Sequence, residues 1–73
     1  MQAKSSPKMR RAVLGHVLYE HPAELTSGAL RREFGDEAQQ AVVDLLAADL
    51  LHQEGDNVRP TRAALSFYRL DLP

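Results

Sequence analysis

Apolar residues recur with a helical period along most of this chain and change to a strand-like pattern only in its last third. One helical stripe consists of Val13, Leu14, Val17 and Leu18. The dipeptide Ser6-Pro7 favours a helix start, because serine caps the backbone and proline fits the first helical position. Pro22 ends the segment, since the residue before a proline is displaced from helical conformation. The pattern therefore predicts a first helix over Pro7–Glu20.

A second, shorter helix follows an extended link that ends at Leu25. Thr26 is a good N-cap, and Leu25 before it and Leu30 inside the helix are spaced as a hydrophobic staple. Gly35 stops the helix, because glycine readily takes the positive φ that ends a helix. We therefore predict a helix over Ser27–Phe34.

The third predicted helix begins after Asp36, whose spacing to Gln39 is that of a capping box. Its buried stripe is predicted to contain Ala38, Ala41, Val42, Leu45 and Leu46. Its outward face is predicted to present Gln40, Val43, Asp44 and Ala47. Asp49 is expected to end the segment, because aspartate tolerates positive φ better than most residues.

The apolar period then changes. A cluster of turn formers lies between two short runs with strand character, which predicts a β-hairpin with Gly55 and Asn57 at positive φ. Pro60 ends the second strand, and Thr61 is placed to cap a last helix over residues 62–70.

Length and composition favour one small globular domain. The chain has 73 residues, of which 44% are hydrophobic and 26% charged, and this balance is unlike that of a disordered segment. It contains no cysteine, which excludes disulfides and thiolate metal sites. No apolar run approaches the ~18 residues that a membrane span needs. We therefore expect a soluble, cytoplasmic protein without a membrane partner.

Charge is distributed unevenly along the chain. The net charge is −1 overall, but residues 1–35 carry +3, residues 36–57 carry −6 and residues 58–73 carry +2. The third helix and the hairpin are therefore acidic, while both flanking segments are basic. This asymmetry bears on the kind of partner that each surface would accept.

Three segments carry a resemblance to a known family. They are similar to segments of winged helix-turn-helix proteins. The family's paired helices resemble LTSGALRREFGDEAQQAVVDLL, its exit from the recognition helix resembles LLAADLLHQEG, and its return from the wing resembles NVRPTRAAL. The resemblance covers roughly residues 7–70. It implies a single, mostly α domain over residues 7–73 with a small antiparallel β-hairpin, preceded by a flexible tail over residues 1–6.

The resemblance also implies binding to double-stranded DNA, as a transcription regulator that acts by occupying a site without a catalytic or effector domain. In the family's docking geometry the third helix enters the major groove. Gln39, Gln40 and Val43 would then face the bases, since glutamine pairs with adenine and valine contacts a thymine methyl. Further contacts to phosphates would come from Arg31, Arg32 and Arg59, and from an N-terminal arm with Lys4, Lys8, Arg10 and Arg11.

The acids on the same surface support an alternative, which is a winged helix used for protein–protein interaction. They are Asp36, Glu37, Asp44, Glu54 and Asp56. In this alternative the acidic third helix and wing dock on a basic protein partner, with Val43, Asp44 and Ala47 at the contact. The sequence leaves both alternatives open.

Nothing in the sequence indicates an enzyme, a metal site or a cofactor. His16 and His21 are five residues apart and do not share a helix face, and His52 is predicted on a strand. No nucleophile–base arrangement or glycine-rich phosphate loop is present. The apolar C-terminal residues Tyr68, Leu70 and Leu72 either pack on the first helix of the same chain or form the seam of a homodimer.

Overall fold

The computed structural model describes the backbone of residues 5–70 and the side chains of residues 5–66. The elements are α1 (Pro7–Glu20), β1 (Leu25–Thr26), α2 (Ser27–Phe34), α3 (Glu37–Ala47), β2 (Leu51–Glu54), β3 (Asn57–Pro60) and α4 (Arg62–Leu70). The predicted bounds of the first two helices are confirmed, as is a mostly helical architecture with a small antiparallel sheet. Tyr68, Leu70 and Leu72, which were expected to pack or to form a dimer seam, lie outside the described side chains.

The sheet has three strands in the order β1–β3–β2, and all neighbours are antiparallel. The sequence predicted only the β2–β3 hairpin and treated the segment before Thr26 as an extended link. Leu25 and Thr26 instead pair with Val58 and Asn57 of β3. Because extended backbone has unpaired N–H and C=O groups, the free edge of β3 offers this link its hydrogen-bond partners.

One core joins the first three helices to the sheet. Its buried members are Val13, Val17, Leu30, Ala38, Ala41, Val42, Leu45, Leu51 and Val58. The predicted stripe of α3 is therefore confirmed except at Leu46, which is half-buried and packs against the edge of this core. The three helices surround this core closely enough to leave Val13 and Ala38 fully buried.

The predicted capping box at the start of α3 is wrong. Asp36 has φ −64° and ψ −30°, and its side chain makes no capping hydrogen bond. An N-cap side chain reaches the backbone from an extended conformation, which this residue does not adopt. By contrast, Thr26 is extended and its Oγ1 accepts a hydrogen bond from the Ala29 N–H at 3.0 Å, as expected of an N-cap.

Positive φ occurs at the end of α3 and in the hairpin turn. Asp49 has φ 62°, which confirms the expectation for that residue. In the turn Gly55 has φ 62°, but Asn57 was wrongly predicted at positive φ, since it is extended and pairs with Glu54 as the first residue of β3. Across the described residues, no helix combines the length and the apolar character needed to cross a membrane.

Gly55→Ala is expected to lower the free energy of unfolding by about 1–2 kcal/mol, because a Cβ is strained at φ 62°. Gly28→Ala is the control. Gly28 lies in α2, where a Cβ would meet only Thr26 Oγ1 at 3.9 Å, so this change is expected to stabilise the protein by about 0.5–1 kcal/mol. Urea unfolding of both variants measures the two changes in the free energy of unfolding. Equal changes would contradict the strain that we assign to a Cβ at residue 55.

Candidate nucleic-acid interface

The segment that precedes α1 lies against α3. Ser5 is buried, with its backbone N–H donating to Asp44 Oδ2 at 2.9 Å and its Oγ donating to the same oxygen at 2.6 Å. The backbone N–H of Ser6 donates to Glu37 Oε2 at 3.0 Å. Both serines belong to the segment predicted as a flexible tail, and residues 1–4 of that segment lie outside the described part of the chain. The acids of α3 thus hold the start of α1.

Asp44 is the centre of this contact. Besides Ser5, it accepts a hydrogen bond from Gln40 Nε2 at 3.0 Å, and the Arg10 guanidinium lies 3.7 Å away. The hydrogen bonds from the Ser5 side chain and backbone, then that from Gln40, and finally the charge of Arg10 lower the pKa of Asp44 to about 2. The carboxylate is therefore ionised and engaged within the chain.

The prediction that Asp44 belongs to the outward face of the third helix is wrong, because its side chain is only 14% exposed. Glu37 and Asp44 are seven residues apart, about two helical turns, so they share the flank of α3 that meets the start of α1. Arg10 faces the same flank and also donates to the Ser5 carbonyl oxygen. It is therefore not available as part of a DNA-binding arm, whereas Lys8 and Arg11 are exposed on α1.

Two further acids are paired with arginines at the surface. Arg31 Nε donates to Asp36 Oδ1 at 2.9 Å, and Arg59 donates through a terminal nitrogen to Glu54 Oε1 at 2.5 Å. All four side chains remain about half or more exposed. Exposed pairs of this kind contribute roughly 0–1 kcal/mol, so either arginine can exchange its partner at small cost.

The exposed surface of α3 that remains is uncharged. We call Gln39, Val43 and Ala47 the outward face of α3, because all three are exposed and follow one another at a spacing of four residues. Val43 is 55% exposed. Gln40 is half-buried with its amide bonded to Asp44, so the two predicted glutamines are not equivalent.

Arg32 lies in the last turn of α2. It is exposed and forms no ion pair with another residue in the described part of the chain. The structure places Arg31 against Asp36 at the start of α3 and Arg59 on β3 of the hairpin. The sequence analysis missed the contact between Ser5 and Asp44, for which the chain holds no local signal; the i, i+4 spacing of Gln40 and Asp44 indicates only the bond between those two residues.

No protein-family model, curated protein or solved structure matches this chain. Among the residues that the structure describes, no group of three histidines or carboxylates lies close enough to hold a metal ion. The function is therefore inferred from the geometry and the chemistry of the surfaces described above.

Proposed function

We propose that this protein is a small DNA-binding protein of the winged helix-turn-helix type, which regulates transcription by occupying a site on duplex DNA. The observation that carries the proposal is the uncharged outward face of α3. Asp44 is half-buried against Ser5, Gln40 and Arg10, while Glu37 stays exposed and accepts a hydrogen bond from the Ser6 N–H. The sheet order and the succession of helices support the winged-helix resemblance.

The outward face of α3 has the chemistry of base recognition in the major groove. Gln39 offers a donor and an acceptor that match the N7 and N6 edge of adenine. Val43 and Ala47 offer apolar contact to thymine methyl groups, one and two turns further along the helix. Gln40 is less suited to this role than Gln39, because it is half-buried and one N–H of its amide is bonded to Asp44.

Phosphate contacts would come from three arginines, two on α2 and one on β3. Arg32 carries no competing ion pair with a described residue, while Arg31 and Arg59 can exchange Asp36 and Glu54 for phosphate oxygens. Three phosphates neutralised by three cations imply a slope of about −3 in a plot of log affinity against log salt concentration. This slope is small because the acids next to these arginines cancel most of the positive charge of the surface.

Fluorescence anisotropy of a labelled duplex, titrated at several salt concentrations, tests the proposal. We expect binding at ~50 mM salt with the slope given above, and Arg32→Ala is expected to reduce that slope by about one. Arg32→Lys keeps the charge and is expected to keep the slope. Absence of binding at low salt, or an Arg32→Ala variant with the wild-type slope, would contradict the proposal.

A second candidate is a protein partner, and the exposure of Val43 favours it. Val43 is one of two large apolar side chains exposed among the described residues, and neighbouring acids rim its face. An apolar centre with a polar rim is the usual anatomy of a protein interface. A basic partner would then occupy the same face, and the chain would not bind duplex DNA in the titration above.

A further inference from the structure

The side of α1 opposite the core is exposed and has no partner in the described part of the chain. We call Arg11, Gly15 and Tyr19 the outer face of α1, because they follow one another at a spacing of four residues opposite the buried Val13 and Val17. Tyr19 is 80% exposed, more than any other large apolar side chain described. Tyrosine is enriched at protein interfaces, where its ring can be buried while its hydroxyl stays hydrated.

Gly15 lies at the middle of this face. Glycine weakens a helix relative to alanine, and here the chain itself does not require it: a Cβ at this position would meet nothing within 4 Å. A glycine on an exposed helix face allows the backbone of another element to approach closely. Nothing in the described part of the chain therefore accounts for the missing side chain.

Arg11 and Tyr19 make the outer face self-complementary. Each lies four residues from Gly15, on opposite sides. If a second, antiparallel α1 crosses at Gly15, the two-fold symmetry places Arg11 of each copy against Tyr19 of the other. A guanidinium over an aromatic ring is an electrostatically favourable contact, and symmetry provides it twice.

We propose that the outer face of α1 binds a second copy of this chain in an antiparallel, two-fold symmetric dimer that crosses at Gly15. The proposal does not depend on DNA binding, since it uses no residue of the outward face of α3. The occupant is a second copy because Arg11 and Tyr19, at equal distances from Gly15, match each other across a two-fold axis.

Disulfide cross-linking tests the geometry. The chain contains no cysteine, so Gly15→Cys introduces a single thiol at the predicted crossing point. Because a disulfide requires Cα atoms within about 7 Å and traps even a weakened dimer covalently, mild oxidation at high protein concentration is expected to link two Gly15→Cys chains. Val43→Cys is the control at a site exposed on α3. Failure of Gly15→Cys to link, or equal linking by both variants, would overturn the proposal.

Sedimentation equilibrium tests the contacts. The wild-type chain is expected to dimerise with rising concentration, and Tyr19→Ala or Arg11→Ala is expected to weaken the dimer by about 5–30-fold, because each removes both symmetric contacts. Val43→Ala is expected to leave it unchanged. A wild-type chain that stays monomeric, or a dimer insensitive to Tyr19→Ala and Arg11→Ala, would overturn the proposal.

Gly15→Ala separates a role in dimerisation from a role in folding. At concentrations where the chain is monomeric, alanine is expected to raise the thermal midpoint, because it favours the helix and meets nothing. The same change is expected to weaken the dimer, because two Cβ atoms then stand at the crossing point. A dimer of undiminished affinity in this variant would overturn the close approach at Gly15.

Discussion

Val43→Glu is expected to weaken duplex binding at least about tenfold at low salt, because it places a carboxylate at the centre of the outward face of α3. Neighbouring phosphates would repel this charge, and one unfavourable contact of about 1.4 kcal/mol already corresponds to a tenfold loss of affinity. The side chain is 55% exposed in the wild type, so the substitution is expected to leave the fold intact.

Val43→Thr is the matched control, because threonine keeps the branched shape without adding a charge. We expect this variant to retain most of the affinity. Both variants are measured by duplex anisotropy, with circular dichroism as the test of folding. Equal affinities for Val43→Glu and Val43→Thr would mean that the outward face of α3 does not enter the groove.

Asp44→Asn is expected to lower the thermal midpoint by several degrees near neutral pH. The carboxylate accepts hydrogen bonds from the N–H and O–H of Ser5 and from the Gln40 amide, and it faces Arg10. The amide group of an asparagine would place its own N–H donors against one of these donors. It would also be uncharged, so the ion pair with the Arg10 guanidinium would be lost. Asp56→Asn, at an exposed acid of the hairpin turn, is the control and is expected to have little effect.

The stabilisation by Asp44 is expected to depend on pH, and the direction of this dependence follows from its pKa. The pKa of Asp44 is lowered from 3.8 to about 2 in the folded protein, so its carboxylate stabilises the fold fully above pH 3.8. This stabilisation is lost as the pH falls towards 2. The difference in thermal midpoint between wild type and Asp44→Asn is therefore expected to close over that interval. A difference that stays constant from neutral pH to pH 2 would contradict the role given to Asp44.

The helices could be predicted because their ends are marked locally. Pro7 and Pro22 bracket α1, and Thr26 and Gly35 bracket α2, so the boundaries follow from the backbone preferences of single residues. The strand β1 could not be predicted, since two residues are too short to show an alternating pattern. It forms only because β3 has a free edge beside it.

The outward face of α3 could be predicted only in part. Periodicity identified Val43 and Ala47, but it also assigned Asp44 to that face. The partner that engages Asp44 is Ser5, which lies 39 residues away, so no local pattern reveals the contact. Composition counts every acid as a free surface charge, although Asp44 is half-buried and Glu37 hydrogen-bonds the start of α1.

The proposed function requires that the outward face of α3 contacts duplex DNA. This contact can be observed by nuclear magnetic resonance of the isotope-labelled protein, with increasing duplex added. We expect the signals of Gln39, Val43, Ala47 and Arg32 to shift first, while that of Gly15 on α1 stays in place. Shifts confined to residues away from α3, or no shifts at low salt, would contradict it.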